Sequence, residues 1–424
     1  LTAVSNSIQT QPSIVERLVT DGVLSEKKRN HQEESPPAQV NESTQIDAET
    51  AQESHSDDGT QSELYGFRHL KFLDGLRALS IFWVMGFHSN GPVGQLLSGK
   101  GGWVGVDAFF VISGFLITGI LLRELKDKQT ISLKNFYVRR ALRLVPVYAA
   151  WIALTCIVNP RHCTDLPAAA AIAAIYMVDF DIALLWNHIV GSGLEIGWSL
   201  SVEEKFYMLW PTVMKYVKKH LALASVVAII FCFVWRAYLL CHGAYWIRLS
   251  AAFDTKLDAI MIGCLASVAM ADDNMRKWLS RLFSHPLLSL VVFVFICAYV
   301  PFIGHPALVK GLGNALIYWN VELPVFYFSV VVLIVTMCLN PLSLPARLLS
   351  IPVLVWLGRI SYSIYLWHLF AFRWSMAVPF NGQANSIENE AFRYALAVVL
   401  AAMSFYCLER PFLKLKDKYS KNHA

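Results

Sequence analysis

The sequence predicts an all-α polytopic membrane protein of about ten transmembrane helices with both termini cytoplasmic. Three observations predict it. Of 424 residues, 55% are hydrophobic, and the mean hydropathy is +0.45, too apolar for a soluble domain. The apolar residues gather in continuous runs of about 18–22, the length of a spanning helix, without the alternation of a barrel strand. Lys and Arg fall unequally on alternate loops, which sets the orientation.

The runs lie near 72–89, 103–125, 144–158, 167–186, 198–217, 221–241, 250–270, 287–304, 322–339, 353–373 and 391–408. The Ala-rich run 167–186, with Asp179 and Asp181 at one end, is the weakest. If it does not cross, one side holds the 126–143 loop with its six basic residues, Lys215, Lys218 and Lys219, Arg276, Lys277 and Arg281, and the basic end of the chain. The other side then holds only Lys100, Arg161, Arg248, Lys310, Arg373 and Arg393. That asymmetry selects ten spans and makes 167–186 a re-entrant or surface element on the outer side.

Residues 1–66 hold 4 basic and 12 acidic residues, whereas the remainder holds 32 and 19. The first segment is polar and poor in aromatics, so it reads as a disordered acidic cytoplasmic tail. It contains no apolar core of a signal peptide. Residues 67–412 read as the membrane domain and 413–424 as a basic cytoplasmic tail. The membrane part owes its positive balance to cytoplasmic loops, not to nucleic-acid binding. The eight cysteines show no metal-ligand spacing. Cys163 and Cys241 fall on the same outer face, where a disulfide or two free thiols are both open.

Within the first span, Arg77 and His88 are eleven residues apart. At about 100° per residue they share a face, separated by about 16 Å along the axis. An ionisable residue at the depth of His88 reads as functional unless a neighbouring helix carbonyl satisfies it. The second span carries Asp107 near its outer end and the small residues Gly105, Ser113 and Gly114, which permit close helix approach. In the following loop Arg140 and Arg143 share a helix face. Two adjacent guanidiniums suit a multiply phosphorylated ligand or the phosphates of lipid headgroups.

Glu203 and Glu204 sit inside an apolar run. Being adjacent, they point to different surroundings, and Glu203 forms a polar stripe with Tyr207 one turn on. Arg359 falls in a span and needs a carboxylate or a water cavity. His368 follows Trp367 near the outer interface, where a belt position accounts for the Trp.

Five motifs occur in order: Leu-Asp-Gly-Leu-Arg…His ending at His88, Gly-Val-Asp-x-Phe-Phe-Val-Ile-Ser-Gly-Phe-Leu-Ile from Gly105, Arg-x-x-Arg-x-x-Pro-x-Tyr from Arg140, Trp-Ser-Leu-Ser-Val-Glu-Glu from Trp198, and Gly-Arg-Ile-Ser-Tyr-Ser-x-Tyr-Leu-Trp-His ending at His368. Together they resemble the acyltransferase-3 family of integral-membrane O-acyltransferases, over about 70–412. Lys205 stands where that family commonly has Gln, and Lys256 where it has Arg. Many relatives carry a fused esterase-like domain, and this chain reads as a stand-alone form.

The resemblance implies transfer of an acyl group, usually acetyl, from cytoplasmic acyl-CoA to a hydroxyl of a cell-surface carbohydrate or glycolipid, at a bacterial inner membrane and without a metal. It implies that Arg77 and His88 are the catalytic pair and that Arg140 and Arg143 hold CoA phosphates. His88 then acts as general base or takes the acyl group itself. Asp74 is placed to orient Arg77. Glu203, Tyr207 and Asp107, toward the outer side, are candidates for acceptor binding or for holding a polar cavity. A proton-coupled transporter using the buried Arg, His and Glu residues is the alternative, although the chain shows no internal repeat.

Overall fold

The computed structural model describes residues 70–89, 91–158, 165–186, 188–377 and 386–415. The predicted acidic tail 1–66, Cys163 and the end of the basic tail lie outside the described residues. Among the described residues every regular element is helical.

The first three long helices are α1 (Lys71–Ser89), α3 (Gly105–Lys128) and α4 (Leu133–Val158), with the short α2 (Pro92–Ser98) between the first two. Helix α4 begins earlier than the apolar run, because nothing from Leu133 onward breaks a helix before Pro146. The arginine segment is therefore helical, and the loop before it shrinks to Gln129–Ser132. Gln129 closes α3 in the left-handed conformation, with φ of 60°.

The run 167–186 breaks into α5 (Leu166–Ala174) and α6 (Val178–Ala183). Tyr176 and Leu185 both have positive φ, 55° and 57°. Helices of nine and six residues reach only about 14 and 9 Å, far short of an apolar bilayer core of about 30 Å. The Lys205 ammonium ties this element to α7 (Gly197–Tyr216) by donating to the Tyr176 carbonyl and to Asp179, both at 2.6 Å. Lys205 thus has a carboxylate partner.

Next come α8 (Leu221–Cys241), α9 (Trp246–Ala251), α10 (Phe253–Ala271), α11 (Asp273–Phe283), α12 (Pro286–Phe302), α13 (Leu312–Ile317) and α14 (Leu323–Leu339). The chain ends in α15 (Leu344–Leu349), α16 (Pro352–Arg359), α17 (Ser361–Ala377) and α18 (Ile387–Ser404). The run 353–373 is thus split at Ile360.

Among the described residues five helices are long and apolar enough to cross a membrane, or six if α11 and α12, bent by 79°, form one span. Helices α1, α7 and α10 are as long as spanning helices but carry charge: Arg77 and Asp74, Glu203 to Lys205, and Asp254 to Asp258. These charged helices face inward, as do the apolar α3 and α14, whereas α4, α8 and α18 lie on the outside. Helix α8 exposes a stripe of Leu223, Val227, Ile230 and Val234 at spacings of four, three and four residues. Such a surface demands lipid.

Helix α3 is the central post, crossing α10 at close range. A Cβ on Gly114 would meet the Ile260 carbonyl oxygen at 2.0 Å, and one on Gly263 would meet that of Val111 at 2.1 Å. The reading of Gly114 as a close-approach residue holds, and its counterpart is a second glycine on the facing helix.

Candidate active site

Helix α17 runs beside α1 and touches both members of the predicted pair. The Arg77 Nε–H donates to Ser361 Oγ at 3.3 Å. His368 Nε2 lies 3.4 Å from His88 Nδ1. One helix therefore reads both residues, which requires Arg77 and His88 to share a face as their spacing predicts.

At the arginine end, α4 delivers its two guanidiniums. Arg140 lies over the Tyr207 ring, 4.3 Å from the centroid, with Phe136 at 5.9 Å. Arg77 stacks over Phe109 at 5.8 Å and lies in the field of Arg143, Asp74, Glu203 and Tyr207. Glu203 accepts short hydrogen bonds from Ser113 Oγ and the Tyr207 hydroxyl. Among the described residues none of Arg77, Arg140 and Arg143 has a carboxylate at ion-pair distance. Arg139, which points elsewhere, pairs with Glu124 at 3.5 Å. Stacking on an aromatic face holds a guanidinium while leaving its N–H edge for a planar or tetrahedral anion.

Two expectations shift here. Glu203 and Tyr207, expected toward the acceptor, are grouped with the arginines, because the Tyr207 ring is the shelf for Arg140 and Glu203 lies one turn away on that stripe. Asp74, expected to orient Arg77, lies one turn before it on α1 and is 3.8 Å from Arg359 Nε. Arg359 thereby has the carboxylate its position called for.

Asp107 stands apart. It is fully buried, and Lys256 donates to both its oxygens at 2.8 and 3.0 Å. The Lys256 ammonium also faces the rings of Trp103 and Trp319, at 4.7 and 5.7 Å. The structure thus shows Asp107 tying α3 to α10. Beside it Arg236 pairs with Asp258 at 2.8 Å, both fully buried.

At the histidine end, the chain leaving α1 is clamped by α18. Glu390, buried, accepts from Ser89 Oγ at 2.7 Å and from the backbone N–H groups of Val93 and Gly94 at 2.7 and 2.6 Å. Arg393 donates to the Ser89 carbonyl at 2.5 Å. A carboxylate capping the start of α2 fixes the loop immediately after His88. Next to it Phe87 stacks on His305 at 5.6 Å, and His305 meets the edge of Trp246 at 5.0 Å. His88 itself is half-buried between these rings and α17.

Sequence reasoning missed Ser113, Glu390 and His368. Ser113 was read for its size alone. His368 had a usable signal: Ser361, Tyr365 and His368 fall at i, i+4 and i+7, a polar stripe on one face of α17. Among the described residues no group of three metal-ligating side chains is assembled.

The family model described as an acyltransferase domain matches residues 70–408. The chain is 29% identical over 376 residues to the peptidoglycan O-acetyltransferase OatA of Listeria monocytogenes, covering 82% of this chain and 57% of that protein. It is 28% identical over 375 residues to the O-acetyltransferase OatA of Staphylococcus aureus, covering 83% and 58%. The chain therefore spans less than three-fifths of the length of these curated relatives. No solved structure matches it.

Proposed function

The chain belongs to the acyltransferase-3 family, and from that premise we propose that it is a multi-pass O-acyltransferase of the bacterial inner membrane. In this reading the membrane domain, 67–412, has ten spans and cytoplasmic termini. It moves an acetyl group from cytoplasmic acetyl-CoA to a hydroxyl of a cell-surface carbohydrate or glycolipid. The name of the Listeria relative makes peptidoglycan the first acceptor to test.

The observation that carries the reading is a pair of ends about three turns apart on α1: at one, three guanidiniums that have no carboxylate at ion-pair distance among the described residues, and at the other a half-buried histidine. A polyanion with a long thin arm fits such an arrangement. Arg140 and Arg143 hold the CoA phosphates and Arg77 stands at the mouth. Glu203 and Tyr207 keep Arg140 oriented. The pantetheine arm then lies along α1 and brings its thioester to His88.

His88, as the neutral imidazole, takes the proton of the acceptor hydroxyl while that oxygen bonds to the acyl carbon. The C–S bond breaks, and the proton passes from His88 to the departing thiolate. The acceptor enters from the side of the Phe87–His305–Trp246 rings, whose apolar faces suit a sugar ring.

The test is His88→Ala, assayed by transfer of labelled acetyl from acetyl-CoA and by O-acetyl content of the cell wall. Loss of both, with normal expression, is the expected result. Retained transfer would remove His88 from the chemistry. Proton flux through reconstituted vesicles without acetyl transfer would favour the transporter.

A further inference from the structure

We infer that His368 is a positioning residue that fixes the tautomer of His88 and leaves the reactive lone pair on its Nε2. The inference rests on the reading of His88 as the base. Its argument comes from carbonyl oxygens, which only accept. The Val84 carbonyl lies 2.9 Å from His88 Nδ1, so Nδ1 carries a hydrogen. The Tyr365 carbonyl lies 2.6 Å from His368 Nδ1, so this nitrogen is also N–H. In the neutral ring the lone pair of His368 is then on Nε2, and Nε2 is the atom 3.4 Å from His88 Nδ1. The His88 N–H is therefore shared between a backbone carbonyl and an imidazole acceptor. One assignment of protons satisfies all three contacts, and it leaves His88 Nε2 without a hydrogen.

The surroundings hold His368 to this task. It is fully buried and meets the edge of Phe372 at 5.8 Å. Tyr365, whose carbonyl it bonds, donates from its hydroxyl to the Ile196 carbonyl at 2.9 Å and shares a hydrogen bond of 2.7 Å with Ser199. The acceptor behind His88 is thus tied through α17 to the start of α7, the helix that also supplies Glu203 and Tyr207. When His88 Nε2 receives the hydroxyl proton, the charge that forms on the ring is stabilised at Nδ1–H by a neutral partner. A carboxylate does the corresponding work in many hydrolytic sites.

The test compares His368→Phe, which fills the space but accepts nothing, with His368→Gln, whose side-chain carbonyl can replace Nε2 as acceptor. Each is purified beside the wild type and His88→Ala, and its thermal unfolding is checked. The expected result for His368→Phe is a kcat lower by about tenfold or more with KM for acetyl-CoA and acceptor unchanged. His368→Gln should recover most of that loss. Wild-type kcat in His368→Phe overturns the inference, as does a folded His368→Gln that is no better than His368→Phe. If His368→Phe does not fold, His368→Leu, which also accepts nothing, takes its place under the same criteria. A wild-type protein without acetyl transfer, or an active His88→Ala, removes the underlying reading and this inference with it. An active wild type with inactive His88→Ala and unaltered His368→Phe removes only the role of His368.

Discussion

Two clusters of charge lie inside this helical bundle, and they are built to opposite rules. Between α3, α8, α10 and α14, Lys256 meets Asp107 and Arg236 meets Asp258, every one of these side chains fully buried and each cation facing a carboxylate at 2.8 Å. Between α1, α4, α7 and α17, Arg77, Arg140 and Arg143 are half-buried, with Arg77 against Phe109 and Ser361 and Arg140 against Tyr207. The first cluster closes on itself and holds helices together. The second keeps its donors for something that arrives. A buried ion in a membrane protein is therefore not evidence of a site by itself. What distinguishes a site is a cation held in place by something other than its counter-ion.

Breaking the closed cluster should have the largest effect. Lys256→Met leaves the Asp107 carboxylate buried without its cation, and should cost about 3–5 kcal/mol of stability. The measurement is thermal unfolding in detergent and the yield of folded protein. The double variant Lys256→Met with Asp107→Leu should recover most of the loss, and if it does not, the pair is more than a structural tie. Breaking the open cluster should leave the fold intact and alter binding. Arg140→Ala with Arg143→Ala removes two charge-assisted donors of about 1.5–3 kcal/mol each, so acetyl-CoA affinity should fall by at least about a hundredfold with the melting temperature unchanged. Unchanged affinity would make these arginines lipid anchors.

Glu203→Gln should act more gently, since an amide oxygen still accepts from Ser113 and Tyr207 while the negative charge beside Arg77 is lost. The expected change is a few-fold fall in turnover, read in a steady-state assay. The smallest effect belongs to Arg359→Ala. Its side chain is 48% exposed and 3.8 Å from Asp74, so less than about 1 kcal/mol is expected. A large effect there would mean that Asp74 has to be held to keep Arg77 in place.

The open cluster was more legible in the sequence than the closed one, for a physical reason. Arg77 and His88 lie on one helix, so the spacing alone fixes their relation. Arg140 and Arg143 share a face in the same way. The Lys256–Asp107 contact joins residues 149 positions apart, and no local period reports it. The same limit applies to Glu390, which reaches back from α18 to cap α2. His368 was within reach. The sequence reading places it near the outer interface behind Trp367, whereas the stripe formed with Ser361 and Tyr365 shows that the histidine faces inward. The run 167–186 was correctly singled out as weak, and its break at Tyr176 comes from backbone geometry that its Ala-rich composition does not announce.

Helix α17 has one more consequence. Seven residues separate Ser361, against Arg77, from His368, against His88, so the two ends of the polar face are kept in phase by a count of residues. A side-chain substitution anywhere between them changes what is touched but not the phase. One residue inserted between them would turn everything beyond it by about 100°, carrying His368 off His88 while Ser361 stayed on Arg77. This stretch of the chain should tolerate exchange of its outward residues and reject any change in their number.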